Sequence, residues 1–110
     1  MRRRAIIRRI LETAQLQNEI FDIDVLDTAS PHKGLAALLQ NISPTALDME
    51  VLRFTSRDMV GMPVEVYFRA TLSEEPSFYK FHTTIVGVMP GQEKSRLRLA
   101  SPEDLNAGQK

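Results

Sequence analysis

Cysteine and tryptophan are absent from this sequence of 110 residues, and long apolar runs are absent too. Without cysteine the chain has no disulfide, no thiolate metal site and no cysteine nucleophile, and it suits a reducing compartment. No apolar stretch approaches the roughly 18 residues that a membrane-spanning helix needs. We therefore expect a cytoplasmic protein without a membrane span.

Net charge is also lacking, since 14 basic residues balance 14 acidic ones. A neutral chain is not steered as a whole toward nucleic acid or a membrane. The charges are nevertheless unevenly placed, because an arginine cluster opens the chain and leaves the remainder net acidic. One cluster without interleaved aromatic residues disfavours nucleic-acid binding. Binding of nucleic acid or of an anionic surface by the N-terminal arginines is kept as a further alternative.

The N-terminal segment has the pattern of a helix. Ile6, Ile7, Ile10, Leu11 and Ala14 recur at helical spacing, and the charged residues between them fall on the other side. This spacing predicts an amphipathic helix over residues 4–17. Such a helix needs a partner surface, which either the rest of the chain or a second protein must supply.

Six later segments have the patterns of β-strands. Apolar and polar residues alternate from Phe21, from Leu47 and from Val64, as in strands with one exposed face. The run LAALLQNI is continuously apolar, and we favour a strand over a short helix because NISPT ends it early. The segments FYKFHTTIVGV and SRLRLA complete the set. Turns are expected at DTASPHKG, NISPT, Glu74-Glu75-Pro76 and Pro90-Gly91.

The predicted fold is mainly β. Six strands at spacings of roughly 10 residues, preceded by one helix, predict a small six-stranded antiparallel split barrel whose helix plugs one opening. A chain of this length forms one core. We place a single domain at residues 1–105 and interpret residues 106–110 as the start of a linker.

Catalytic residues are not indicated by the sequence. His32 lies in a predicted turn, and His82 lies in an apolar strand without an HxxxH or HxH partner. Asp22 and Asp24 alternate with core residues, which favours an exposed strand face over an acid pair. The sequence also lacks GxSxG, phosphate-binding glycine loops and metal motifs. We therefore predict a protein that is not an enzyme and has no metal or cofactor.

Two short motifs resemble the signature of PilZ domains, which are six-stranded barrels that bind the bacterial second messenger cyclic di-GMP. Arg4 and Arg8 form RxxxR, and residues 41–46 form NxSxxA where the family has [D/N]xSxxG. The resemblance implies a degenerate PilZ domain in which Arg4, Arg8, Asn41 and Ser43 contact cyclic di-GMP directly. This sequence departs from the pattern in two ways, since Ala46 replaces the glycine and the arginines lie in a helical segment.

A second resemblance extends over most of the chain. The order of a helix, strands, GMPVEVYF, FYKFHTTIVGV and RLRLASPEDLNAGQK is similar to the N-terminal domain that precedes PilZ in YcgR-type flagellar brake proteins. The matching residues are Gly61, Val64, Val66, Phe68, Tyr79, Phe81, Thr83, Val86, Gly87, Leu97, Leu99, Pro102, Leu105 and Gln109. The closing segment is the most distinctive part of this match, because the family continues from there into the PilZ arginines.

The second resemblance gives the first functional expectation. It implies a non-catalytic regulatory module that packs beside a C-terminal PilZ domain of the same chain, with Gln109 and Lys110 in the interdomain linker. Cyclic di-GMP would bind at the junction, and the module would relay this binding to flagellar motor proteins or another partner. Direct binding by a degenerate PilZ domain is the alternative. The sequence predicts no oligomeric state.

Overall fold

The computed structural model describes residues 2–26, 32–52, 57–91 and 93–108. Within them the elements follow the predicted order of one helix and then strands. Helix α1 spans Arg2–Leu16, and a short 3-10 helix spans Arg57–Met59. The strands are β1 Phe21–Val25, β2 His32–Ile42, β3 Ala46–Val51, β4 Pro63–Thr71, β5 Pro76–Met89, β6 Ser95–Ala100 and β7 Asn106–Ala107.

Six of these strands close into an antiparallel barrel. Hydrogen-bonded neighbours follow the order β4-β1-β2-β3-β6-β5, and β5 returns to pair with β4. The length of β5 makes this closure possible, because residues 76–84 pair with β4 and residues 85–89 pair with β6. Closure removes the long unpaired edges that an open sheet would expose. The predicted mainly β, six-stranded barrel with an N-terminal helix is confirmed.

Side chains from every barrel strand fill the interior. A barrel of this size is just wide enough to be packed by its own inward-facing residues. The buried apolar residues of the strands are Phe21, Ile23, Val25, Leu35, Ala37, Leu39, Leu47, Met49, Val51, Val64, Val66, Phe68, Ala70, Phe81, Ile85, Leu97 and Leu99. The segment LAALLQNI belongs to β2, so the strand interpretation of that run is confirmed.

A bulge in β2 changes which residues face the interior. Leu39 pairs with Met49, but the next pair joins Asn41 to Asp48, which leaves Gln40 as an extra residue. An extra residue reverses the alternation of side chains beyond it. Asn41 is therefore exposed, whereas Ile42 is partly buried and packs against the core.

Helix α1 covers the end of the barrel at which β2, β4 and β6 finish. Ile7, Ile10, Leu11 and Ala14 are buried there and belong to the barrel core. Ile6 is 58% exposed, so its predicted place on the buried face is wrong. At 3.6 residues per turn, Ile6 lies past the edge of the stripe centred on the other four residues.

Two glutamine side chains attach the helix to the strand ends beneath it. The amide of Gln17 donates to the carbonyl of Thr71 at 2.7 Å and accepts from the Thr71 N–H at 2.9 Å. The amide of Gln15 donates to the carbonyl of Gln40 at 2.8 Å. These bonds fix α1 to the ends of β4 and β2.

Asn18 ends the helix in a left-handed conformation, with φ of 53°. Its N–H donates to the carbonyl of Gln15, and the N–H of Glu19 donates to the carbonyl of Ala14, both at 3.0 Å. This pair of bonds is the Schellman motif, which satisfies carbonyls that the end of a helix leaves open. It turns the chain directly into β1.

The 3-10 helix closes the opposite end of the barrel. Its Met59 is 4% exposed and belongs to the core cluster. The chain that follows is hydrogen-bonded to β5, because the Gly61 N–H donates to the Ile85 carbonyl at 2.7 Å and the Ile85 N–H donates to the Met62 carbonyl at 3.0 Å. Among the residues the structure describes, no helix is long and apolar enough to cross a membrane.

Two predicted boundaries differ from the observed ones. His32, Lys33 and Gly34 begin β2, so the end of the predicted DTASPHKG turn is strand; residues 27–31 of that turn lie outside the described residues. Pro76 was expected in a hairpin loop and instead begins β5, where it pairs with Thr71. In both cases the strand begins at a residue that pairs with a neighbouring strand, since His32 pairs with Val25 and Pro76 with Thr71.

Candidate functional site

A groove of about 450 Å³ lies between α1, the β2–β3 turn and the chain that leaves β6, and we call it the helix groove. Its aliphatic lining consists of Ile7, Leu11, Ile42, Leu47, Ala100 and Pro102, among others. Its polar lining consists of Arg4, Arg8, Ser43, Thr45, Ser101 and Glu103. The structure thus brings together three of the four residues that the PilZ signature predicted, Arg4, Arg8 and Ser43.

The two arginines of the groove lie on one side of α1, one turn apart. Residues four apart on a helix are neighbours on its surface. Both side chains are exposed, and Nε of Arg8 lies 3.7 Å from the carboxylate of Glu12. Arg4 forms no ion pair with any described residue. The pair can therefore present guanidinium groups to an anion in the groove.

Ser43 has a structural role in the turn between β2 and β3. Its hydroxyl accepts a hydrogen bond from the Ala46 N–H at 3.1 Å and donates to the Ala46 carbonyl at 3.2 Å. The Ser43 carbonyl accepts from the hydroxyl of Ser101 at 3.4 Å. These bonds close the turn on itself and attach it to the chain leaving β6.

Asn41, the fourth predicted ligand residue, does not line the helix groove. The bulge at Gln40 directs it to the outer face of the barrel, where it pairs with Asp48 of β3. Its side chain hydrogen-bonds to Asp48 and helps to lower the pKa of that carboxyl. The larger cause is the Arg98 guanidinium, which donates to Asp48 and holds its pKa below the usual value, while burial acts in the opposite direction.

A second polar cluster lies on the outer face of β4 and β5. Glu65 accepts a hydrogen bond from the hydroxyl of Tyr67 and forms an ion pair with Nε2 of His82, which lies directly opposite in the strand register. The Tyr67 hydrogen bond is the main reason why the pKa of Glu65 is lowered, with His82 adding to it and burial opposing it. The sequence offers His82 no HxxxH or HxH partner for a metal, and the residue it pairs with, Glu65, comes from the neighbouring strand.

Asp22 and Asp24 lie on β1, as predicted, and Asp24 is only 8% exposed. Its carboxylate accepts a hydrogen bond from the Gly34 N–H at 2.7 Å. Gly34 has φ of 68°, a conformation that glycine adopts without a steric penalty. Asp24 thereby holds the beginning of β2 against β1, and the expectation that this strand face is exposed is wrong at this residue.

The residues that sequence reasoning missed come from the chain after β6. Ser101, Pro102 and Glu103 line the helix groove, and Pro102 is buried. The SPEDL segment was interpreted as the exit from the last strand, and no local signal placed it beneath a helix that starts at residue 2. Among the described residues, no group of three or more histidine or acidic side chains is arranged to hold a metal ion.

A second groove, of about 660 Å³, lies where the described chain ends, and we call it the exit groove. It is lined by Gln17, Ile20, Phe68, Arg69, Phe78 and Gly108, among others. The Gly108 N–H donates to the Phe78 carbonyl at 3.1 Å, and the side chain of Phe78 is 39% exposed. Gln109 and Lys110, the predicted linker residues, lie outside the described residues.

Comparison of the chain with protein-family models, with curated proteins and with solved structures gave no match. The two resemblances noted in the sequence therefore stay predictions.

Proposed function

We propose that this chain is a non-catalytic regulatory module of a cyclic di-GMP receptor. In this proposal it packs beside a PilZ domain and relays binding of the second messenger to flagellar motor proteins or another partner. The proposal rests on the resemblance to the N-terminal domain of YcgR-type proteins, and two features of the structure support it.

The first supporting feature is the position of the residues that carry the resemblance. Val64, Val66 and Phe68 from GMPVEVYF point into the barrel and are buried, as are Leu97 and Leu99 from the closing segment. These five matching positions thus help to build the core of the six-stranded barrel, whereas Val86, another matching residue, is 47% exposed. Core residues constrain a fold more strongly than exposed ones do.

The closing segment is the observation that carries the proposal. Beyond β6 the chain does not leave the barrel: Pro102 is buried, and Asn106 and Ala107 pair with Lys80 and Tyr79 of β5. This docking brings Gly108 to the exit groove. In this proposal a PilZ domain joined there would start next to the exit groove.

The exit groove has the composition of a small interdomain contact. Phe78 and Ile20 are 39% and 54% exposed, and they are flanked by the ion pair of Arg69 with Glu19, which are 2.9 Å apart. An apolar centre with a polar rim is typical of surfaces that bind another protein or domain. A domain seated there could change its orientation when a ligand binds at the junction.

Isothermal titration with cyclic di-GMP tests this proposal. We expect no saturable binding to the 110-residue chain, and binding at micromolar or lower concentration when the chain is extended by the PilZ domain that the proposal places after it. Saturable binding to the 110-residue chain that Arg8→Ala abolishes would overturn the proposal in favour of direct binding. A gene without PilZ motifs after codon 110 would also contradict it.

A variant of the exit groove tests the interdomain contact in the longer protein. Phe78→Asp should leave cyclic di-GMP affinity within a few-fold and abolish the ligand-dependent change in the radius of gyration measured by X-ray scattering. Met89→Asp is the matched control, because Met89 is 66% exposed at the other end of the same strand. Equal effects of the two variants would contradict a specific contact at Phe78.

A further inference from the structure

We propose that the helix groove binds a single-chain amphiphile with an anionic head group, either a carboxylate or a phosphate, and an unbranched alkyl tail. The proposal concerns the 110-residue chain alone. It is independent of the interdomain function proposed above, which uses the exit groove at a different place on the barrel.

The arginine pair supplies the site for the head group. Arg4 and Arg8 both line the groove, and guanidinium groups bind carboxylates and phosphates through paired, charge-assisted hydrogen bonds. Arg3, on the same turn of the helix, is instead engaged with Asp104. That ion pair occupies Asp104, and Glu12 lies 3.7 Å from Nε of Arg8, whereas Arg4 forms no ion pair with a described residue. Arg4 is therefore the guanidinium group of the groove that is most available to an anion.

The lining of the groove away from the arginines is aliphatic. Ile42 and Ala100 are partly buried and offer apolar surface to an alkyl tail, while Ile7, Leu11 and Leu47 also line the groove but are at most 6% exposed. The described residues that line the groove include no aromatic side chain. A planar base would therefore find no aromatic ring to stack on, whereas an alkyl chain packs equally well against aliphatic groups.

The groove has a suitable size and a suitable shape. Its volume of about 450 Å³ falls within the roughly 300–1,000 Å³ of small-molecule sites. It lies between a helix and the two chain segments that Ser101 and Ser43 join through a hydrogen bond. An elongated ligand could lie along the helix with its head near Arg4 and Arg8 and its tail above Leu47.

Glu103 allows the direction of a change in ligand affinity to be predicted. Its carboxylate also lines the groove and is exposed. A negative charge near the arginines weakens the binding of an anion. Replacing Glu103 with glutamine should therefore increase the affinity for an anionic amphiphile several-fold. If the groove bound a neutral or cationic ligand instead, the same variant would not increase the affinity.

Isothermal titration of the 110-residue chain with dodecanoate and dodecyl phosphate, each below its critical micelle concentration, tests the site. We expect saturable binding of at least one of them, and the preferred one identifies the head group. Dodecanol and inorganic phosphate should bind at least tenfold more weakly, because each lacks one half of the ligand. A tail shortened by two methylenes should weaken binding by about tenfold.

Matched variants locate the binding in the groove. The double variant Arg4→Gln/Arg8→Gln should reduce affinity at least tenfold, whereas Arg9→Gln, which removes an exposed charge that does not line the groove, should not. Ala5→Trp should also block binding by filling the groove from its rim. All four positions are exposed, so circular dichroism should show folded variants.

Three outcomes would overturn this proposal. The first is no saturable binding of either amphiphile to the folded chain. The second is equal binding of dodecanol and dodecanoate, since the arginines would then have no role. The third is an equal loss in Arg9→Gln and in the double variant, which would indicate general attraction to the charged helix. None of these results bears on the interdomain proposal, which the Phe78→Asp variant tests separately.

Discussion

Arg98 and Asp48 lie directly opposite each other on β6 and β3, and Nε of Arg98 donates a hydrogen bond of 2.8 Å to Oδ1 of Asp48. A second, longer contact joins Nη2 of Arg98 to the other carboxylate oxygen at 3.4 Å. Asn41 reaches the same carboxylate from β2. Asn41, Asp48 and Arg98 thus interact across three neighbouring strands. Because Asp48 holds the Asn41 side chain on the outer face of the barrel, Asn41 is separated from Arg4 and Arg8.

The pair predicts how stability depends on acid. The pKa of Asp48 is lowered from 3.8 in the folded chain, chiefly by the Arg98 hydrogen bond. A carboxyl with a depressed folded pKa contributes stability above its unfolded pKa and loses that contribution as the pH falls through the folded pKa. We expect Asp48→Asn to lower the free energy of unfolding at pH 7 by about 1 kcal/mol. Urea denaturation should show this difference narrowing below about pH 4.

Glu75→Gln serves as the control for that experiment, since Glu75 is exposed in the hairpin loop between β4 and β5. It should follow the wild-type stability curve across the acid range. If the loss of unfolding free energy in Asp48→Asn were the same at pH 7 and at pH 2, the pairing with Arg98 would not be the source of that loss.

Phe68 is the centre of the aromatic part of the core. Its ring stacks on Phe21 at a centroid distance of 4.7 Å and on Tyr79 at 5.4 Å, and it meets the edge of Phe81 at 6.1 Å. Removing a buried phenylalanine loses transfer free energy and leaves a cavity, at a cost of about 3–5 kcal/mol. We expect Phe68→Ala to lower the urea midpoint accordingly, whereas Phe78→Ala on the surface should change it little. Similar effects of both variants would contradict the assignment of Phe68 to the core.

Much of the fold could be predicted from local patterns, because the barrel alternates its side chains with a period of two. Leu47, Met49 and Val51 alternate with polar residues and are all buried, as the pattern predicted. The pattern fails where a bulge adds a residue, as at Gln40, since bulges have no reliable sequence signal. It also fails at Asp24, whose burial depends on a hydrogen bond from Gly34 across the β1–β2 connection.

The candidate site was only partly predictable, for a different reason. The RxxxR spacing places Arg4 and Arg8 on one side of α1, which is a local property of a helix. The opposite wall of the groove comes from Pro102 and Glu103, nearly a hundred residues later in the chain. Only the closure of the barrel brings these segments together, and sequence periodicity contains no information on that contact.

The two isoleucines at the start of α1 allow a direct test of how the helix sits on the barrel. Ile6 is 58% exposed and Ile7 is 6% exposed, although they are adjacent in the sequence. We expect Ile7→Ala to cost about 2–4 kcal/mol of unfolding free energy and Ile6→Ala less than about 0.5 kcal/mol. Thermal and urea denaturation of both variants would measure this contrast. A larger loss for Ile6→Ala would mean that the helix is rotated relative to the barrel.

Two glycines give the last prediction: Gly87 lies in β5, and Gly91 lies in the turn between β5 and β6. A Cβ at Gly91 would overlap the carbonyl oxygen of Lys94, a backbone atom that cannot move unless the turn changes. A Cβ at Gly87 would lie 3.4 Å from the Cβ of Arg98, close to an ordinary contact. We therefore expect Gly91→Ala to cost about 2 kcal/mol or more of unfolding free energy. Gly87→Ala should be close to neutral, because alanine also restricts the unfolded chain.

The amide chemical shift of Ser95, whose hydroxyl accepts a hydrogen bond from the Gly91 N–H at 3.4 Å, should move in the Gly91 variant only. Equal unfolding free energies of the two variants would contradict this prediction, because the turn would then accommodate a side chain at Gly91 without loss of stability.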